Sequence, residues 1–125
     1  MKDNQYKKEA ERKWGHTKAY KESTKKIAQY TKQDWSKIQE EAADIYASFF
    51  ALKGADLSSK NAEEAVLRWQ KHISEHYYQC SNTILERLGR MYIADERFRR
   101  NIDQNGEGIA AIMSEAIEAY CAKRQ

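Results

Sequence analysis

Apolar residues along the chain recur at steps of three and four rather than two, a period that predicts helices. The clearest stripe is Trp35, Ile38, Ala42, Ile45, Tyr46, Phe49 and Leu52, which turns one face of a long helix toward a core. Thr31 stands before it with Asp34 three residues on, the spacing of a capping box, and Gly54 ends it. After an open loop at Ala55 to Ser59, a second face carries Val66, Trp69, Ile73 and Tyr77, capped by Ser59 or Asn61. A third carries Leu85, Leu88, Met91 and Tyr92 behind Ser81 or Asn82. Asp95 is placed to cap a short helix bearing Phe98 and Ile102, which Asn105-Gly106 breaks. The last helix, from near Glu107, presents Ile109, Ile112, Met113, Ala116, Ile117 and Tyr120.

Residues 1 to 29 differ. Lys2 to Trp14 is polar up to Gly15, and Thr17 then caps a basic helix to about Gln29 with few apolar anchors. Strand-type alternation is absent over any useful window, so the expected fold is all-α, one domain of about seven helices. Within it, residues 1–29 read as a weakly anchored segment and 30–125 as the helical core.

Composition narrows the class. The 125 residues suit one domain, and 41 % apolar content with 14 aromatic rings supplies a core that a disordered chain would lack. The longest uncharged apolar run, Ile45 to Leu52, is far short of the roughly 18 to 20 residues that cross a bilayer, and the N-terminus has no secretory apolar region. Two cysteines, Cys80 and Cys121, do not make a disulfide framework, so a reducing cytosol is the expected compartment. Net charge is +3, yet residues 1 to 40 hold 11 Lys/Arg against 6 Asp/Glu while the remainder is slightly acidic. The basic lysines are interleaved with Glu9, Glu11 and Glu22, and no recognition-helix or metal-finger motif accompanies them. A solvated helical face is therefore expected rather than a nucleic-acid surface.

Few residues carry catalytic chemistry. His72 and His76 are spaced to share a helix face, with Cys80 four further on, but no HExxH arrangement or second ligand pair completes a metal site, so none is expected. The histidines are expected to make polar contacts at a groove edge. Cys80 has His76 one turn upstream and lies just before a helix start, where the positive end of the dipole lowers a thiol's pKa. The competing reading makes it a small core residue, as Cys121 is expected to be. Gly106-Glu107-Gly108 lacks the features of a phosphate loop, and Glu63, Glu64, Asp95 and Glu96 sit at helix starts, where they complement the dipole. The surplus is aromatic, with 8 tyrosines against 3 phenylalanines, a balance suited to a half-wet groove. Tyr77 and Tyr78 diverge by about 100° on a helix, so one of them is expected at a cleft or in solvent, and Tyr92 is expected beside it.

Several segments taken in order carry a resemblance. Glu11-Arg12-Lys13-Trp14-Gly15 with Tyr20, then Tyr30-Thr31-Lys32-Gln33-Asp34-Trp35, His76-Tyr77-Tyr78-Gln79-Cys80, Leu88-Gly89-Arg90-Met91-Tyr92-Ile93-Ala94-Asp95-Glu96-Arg97-Phe98 and Gly108-Ile109-Ala110-Ala111 together resemble the TipAS-type antibiotic-recognition domain, the effector half of thiostrepton- and multidrug-responsive MerR-family transcription activators. The resemblance runs from about Lys8 to Cys121. It implies a globin-like helical fold with a cleft for large, largely apolar antibiotics such as thiopeptides, without cofactor or turnover, and an N-terminal part that closes over the ligand. The winged-helix DNA-binding half and the coiled coil of full-length relatives are not in these 125 residues, so an isolated effector domain or a drug-sequestering short form is expected, with no DNA contact of its own. In the thiostrepton-responsive relative a second cysteine, seven residues beyond the position of Cys80, captures the drug covalently. Here that position is Arg87, and Gln79 stands where relatives often carry Asp or Pro.

The expected site joins the helix ending at Tyr77-Tyr78, the helix of Leu88, Met91 and Tyr92, and the last helix. Trp69, Tyr77, Tyr78, Tyr92 and Phe98 would stack on ligand, Ile112 and Met113 would form an apolar wall, and His72, His76 and Arg97 would orient polar groups, with Cys80 at the rim. A flexible Met and aromatic rings suit a promiscuous apolar ligand. The alternatives are a helical interaction or dimerisation module with no small ligand, and a thiol enzyme using Cys80.

Overall fold

In the computed structural model, residues 17–124 are described, and within them every helix but the last begins at a side-chain cap. The helix predicted at Lys2 to Trp14 lies outside these residues. Thr17 accepts from the Tyr20 N–H to open α1 (Lys18–Ile27). Thr31 and Asp34 form the full capping box of α2 (Lys32–Phe50), each side chain bonding the other's backbone N–H. Ser59, rather than Asn61, caps α3 (Lys60–His76), and Ser81, rather than Asn82, caps α4 (Asn82–Ala94). Asp95 accepts from the Arg97 N–H at the head of α5 (Glu96–Asp103). The last helix, α6 (Ile109–Ala122), starts two residues later than expected, because Gly108 occupies the N-cap with φ +88°. The Asp103 carboxylate compensates by accepting from the Ala110 N–H.

The described residues contain helices and no strand. The stripes read from the sequence converge on one core, in which Phe49, Val66, Leu85, Ile109 and Met113 are fully enclosed. α4 packs most extensively on α6, and α2 on α3; α6 reaches α2, α3, α4 and α5. Gly89 makes the α4–α6 approach possible, since a Cβ built there would lie 3.0 Å from Ile117 Cγ2. No described helix is long and apolar enough to cross a membrane.

α1 contrasts with the rest. None of its residues is buried, and its main contact is with α3. The ties are polar: Lys26 Nζ donates to the Ser74 and Glu75 carbonyls, and Glu22 accepts from the Gln79 N–H at 2.8 Å. Just past α1, the Tyr30 hydroxyl donates to the His76 carbonyl.

Candidate functional site

The amphipathic faces of α2 and α3 meet over a succession of aromatic rings that runs through the molecule. Tyr30 meets Trp35 edge to face at 5.4 Å, Trp35 meets Tyr77, Tyr77 meets His72, His72 stacks on Trp69, Trp69 meets Tyr92, and Tyr92 meets Phe98 at 6.3 Å. Tyr46 and His76 branch from it. The Tyr30 end opens on a groove of about 330 Å³ lined by Gln29, Tyr30, Asp34, Lys37, Ile38 and His76. The opposite part is closed: Trp69 and Tyr92 are buried, and the Trp69 indole N–H donates to the Tyr92 hydroxyl at 3.1 Å.

The structure therefore divides the expected site. Tyr92 and Met113 are interior residues, Met113 fully enclosed, so in this conformation they are core rather than cleft wall. Trp69 is buried beside them, and the α4–α6 contact is too close to leave a cleft between the two helices. Tyr77, Tyr78, Phe98 and Ile112 are half-buried on the edge of the core. Tyr77 and Tyr78 both pack against the core while staying half-buried, and that burial pushes both hydroxyls up. Arg97 is turned back on the Asp95 carboxylate at 3.0 Å, at the start of α5, rather than toward the groove.

Cys80 corrects a specific expectation. Its thiol is buried, and desolvation raises its pKa to about 11, overriding any lowering by the α4 N-terminus. Neither histidine serves it as a base, since both rings turn to Glu41. Cys121 is likewise buried with its pKa raised. Arg87 is exposed.

His72 and His76 do not sit merely at a groove edge. His72 is buried, and its Nδ1 lies 2.5 Å from Glu41 Oε1. His76 Nε2 lies 3.3 Å from the same oxygen. The hydrogen bond to His72 is the main cause holding the Glu41 carboxyl below the usual carboxylate range. Glu41, Tyr30, Trp35, Asp34, Lys37 and Ile38 were not among the expected site residues. Glu41 carried a legible signal: it stands three residues after Ile38 and four before Ile45, a carboxylate on an apolar stripe. Among the described residues, every buried side-chain nitrogen and oxygen has a hydrogen-bond partner.

Comparison with known proteins decides the family. The model of the TipAS antibiotic-recognition domain matches residues 6–120. The chain belongs to the TipAS family. It is 42 % identical over 122 residues to the HTH-type transcriptional activator TipA of Streptomyces coelicolor, covering 96 % of this chain and 48 % of that protein. It is 37 % identical over 100 residues to the HTH-type transcriptional activator mta of Bacillus subtilis, covering 80 % of this chain and 39 % of mta. This TipAS chain thus spans about half the length, or less, of the curated relatives it matches. Among solved structures it superposes on Streptomyces lividans TipAS in complex with nosiheptide, described as part of a thiopeptide antibiotic multidrug resistance system, with TM-score 0.90 and 40 % identity over 98 % of this chain and 87 % of that one. The antibiotic binding domain of a TipA-class multidrug resistance transcriptional regulator follows at TM-score 0.65 and 36 % identity, covering 73 % of this chain and 99 % of that one.

Proposed function

We propose that the chain binds a bulky, largely apolar antibiotic of the thiopeptide type, without chemical turnover, as the effector part of a drug-responsive transcription activator or as a sequestering short form. The observation that carries this is the superposition, at TM-score 0.90 and 40 % identity, on TipAS with nosiheptide. In a longer protein, DNA contact would belong to an upstream half. The buried, poorly ionised Cys80 and the engagement of both histidines with Glu41 favour binding over thiol catalysis.

The groove beside Tyr30 and His76 is the best candidate for the open part of the ligand site. At about 330 Å³ it stands at the small end of ligand pockets, and a bulky antibiotic needs more room. The turn at Gln29 and Tyr30 supplies one wall of the groove, and α1, which leads into that turn, has no buried residue and is held by polar ties to the end of α3 and the residues just after it. α1 then acts as a lid that tightens on the ligand, with part of the interaction energy spent on ordering; residues 1–16 of the segment expected to close with it lie outside the described residues. Tyr30 and His76 line the groove, and Trp35 packs against both Tyr30 and Tyr77.

Titration with nosiheptide, followed by tryptophan fluorescence and calorimetry, tests the reading. Saturable one-to-one binding that shifts the tryptophan emission supports it. A flat response across a panel of thiopeptides and other apolar antibiotics overturns it and leaves the helical interaction module as the surviving alternative.

A further inference from the structure

We propose that Glu41, His72 and His76 form a binding site for a divalent transition cation of the Zn²⁺ class beside the groove. Glu41 comes from α2, and the histidines lie one turn apart on α3. Their donor atoms, Glu41 Oε1, His72 Nδ1 and His76 Nε2, lie within 4.8 Å of one another. Two imidazoles and one carboxylate make the nitrogen and oxygen donor set of three-ligand zinc sites, which keep a fourth position open.

The surroundings suit an ion. His72 is held rigidly, its ring stacked on Trp69 at 5.4 Å and 16°. The other two ligands are accessible, the Glu41 side chain being 44 % exposed and that of His76 22 %, so an ion has a path in from solvent. His76 also lines the groove, so an ion held there would stand next to the place where a ligand heteroatom can arrive. Ligands about 2.1 Å from a tetrahedral ion stand roughly 3.4 Å apart, so the two imidazole nitrogens, within 4.8 Å of each other, must close, while Glu41 Oε1, 3.3 Å from His76 Nε2 but only 2.5 Å from His72 Nδ1, must back away from His72. Glu41 and the His76 ring at the end of α3 are free enough to do so.

A purely structural role accounts for less of the arrangement. One histidine on a carboxylate would satisfy the buried His72. A second imidazole at the helical spacing that brings it to the same oxygen is the pattern of a chelate. A bound ion would tie α2 to α3 at the point where the Tyr30 hydroxyl meets the His76 carbonyl, stiffening one wall of the groove.

The test uses the untagged chain in chelator-free buffer, with Zn²⁺ titrated calorimetrically and Co²⁺ as a spectroscopic probe. The expected result is one Zn²⁺ per chain, weakened by more than roughly tenfold in both Glu41→Gln and His76→Gln. Co²⁺ is expected to give visible d–d bands without the near-ultraviolet thiolate band that coordination by Cys80 or Cys121 would add. Circular dichroism establishes that each variant is folded. If neither variant folds, the Co²⁺ spectrum and a Zn²⁺-dependent rise of the wild-type Tm decide the matter. No saturable Zn²⁺ binding by the wild type, unchanged affinity in both folded variants, or a thiolate band would each overturn the proposal. Because no antibiotic is present, the outcome is independent of the thiopeptide titration.

Discussion

Gly89→Ala is the substitution whose sign the packing of α4 on α6 decides. In an isolated helix the change stabilises by about 1 kcal/mol, since glycine loses more backbone freedom than alanine on folding. Here the new Cβ stands 3.0 Å from Ile117 Cγ2 and 3.3 Å from Ile117 Cβ, and Ile117 is only 1 % exposed, walled in by the core. Overpacking of this kind costs about 1–3 kcal/mol, so the net effect is a loss of about 1 kcal/mol. For a domain of this size that lowers the Tm by about 4 °C. Ile117→Ala alone opens a cavity and costs about 2–5 kcal/mol. In that background the methyl added at position 89 enters vacated space and the gain in helix propensity is recovered, so Gly89→Ala becomes neutral or stabilising. Urea unfolding of the wild type, both single variants and the double variant gives the coupling directly, expected at about 1–2 kcal/mol. An equal effect of Gly89→Ala in both backgrounds, within about 0.5 kcal/mol, would refute the close-approach argument.

Three further outcomes follow from particular contacts. Tyr92→Phe strands the buried Trp69 indole N–H and is expected to cost about 1–3 kcal/mol in urea unfolding; a change under about 0.5 kcal/mol would contradict the hydrogen bond. Thr31→Ala removes one half of the capping box and is expected to cost about 1 kcal/mol, with amide exchange rising first in the opening turn of α2. The Cys80 thiol has its folded pKa raised to about 11 against an unfolded value near 9. Its contribution to stability is thus fully present below about pH 8.5 and is lost as pH rises through the folded value. Alkylation of Cys80 at pH 8 should be slow in the native protein and fast in urea, and equal rates would show the thiol to be open.

Local signals made much of the fold legible. Thr17, Thr31, Ser59, Ser81 and Asp95 cap as their positions indicated, because an N-cap bond spans two or three residues and needs nothing from the rest of the chain. The faces of Ile38 to Leu52 and Ile109 to Tyr120 were equally plain in the period of their apolar residues. The site was less legible. Periodicity states that Tyr92, Trp69 and Met113 face inward but not whether inward means core or cleft, a distinction set by the α4–α6 separation and hence by a long-range contact between Gly89 and Ile117. For Cys80 the dipole of the next helix is local and readable, whereas the burial that outweighs it comes from distant segments. Glu41 was visible as a charge on an apolar stripe, yet its partners lie 31 and 35 residues away.

A thiopeptide is proposed to bind at the groove lined by the turn after α1, the start of α2 and the end of α3. Hydrogen exchange of the chain with and without nosiheptide tests it most directly. Marked slowing at residues 17–38 and 76–79 on saturation is the result predicted. Binding that leaves exchange in those segments unchanged while slowing it elsewhere would contradict both the groove and the lid.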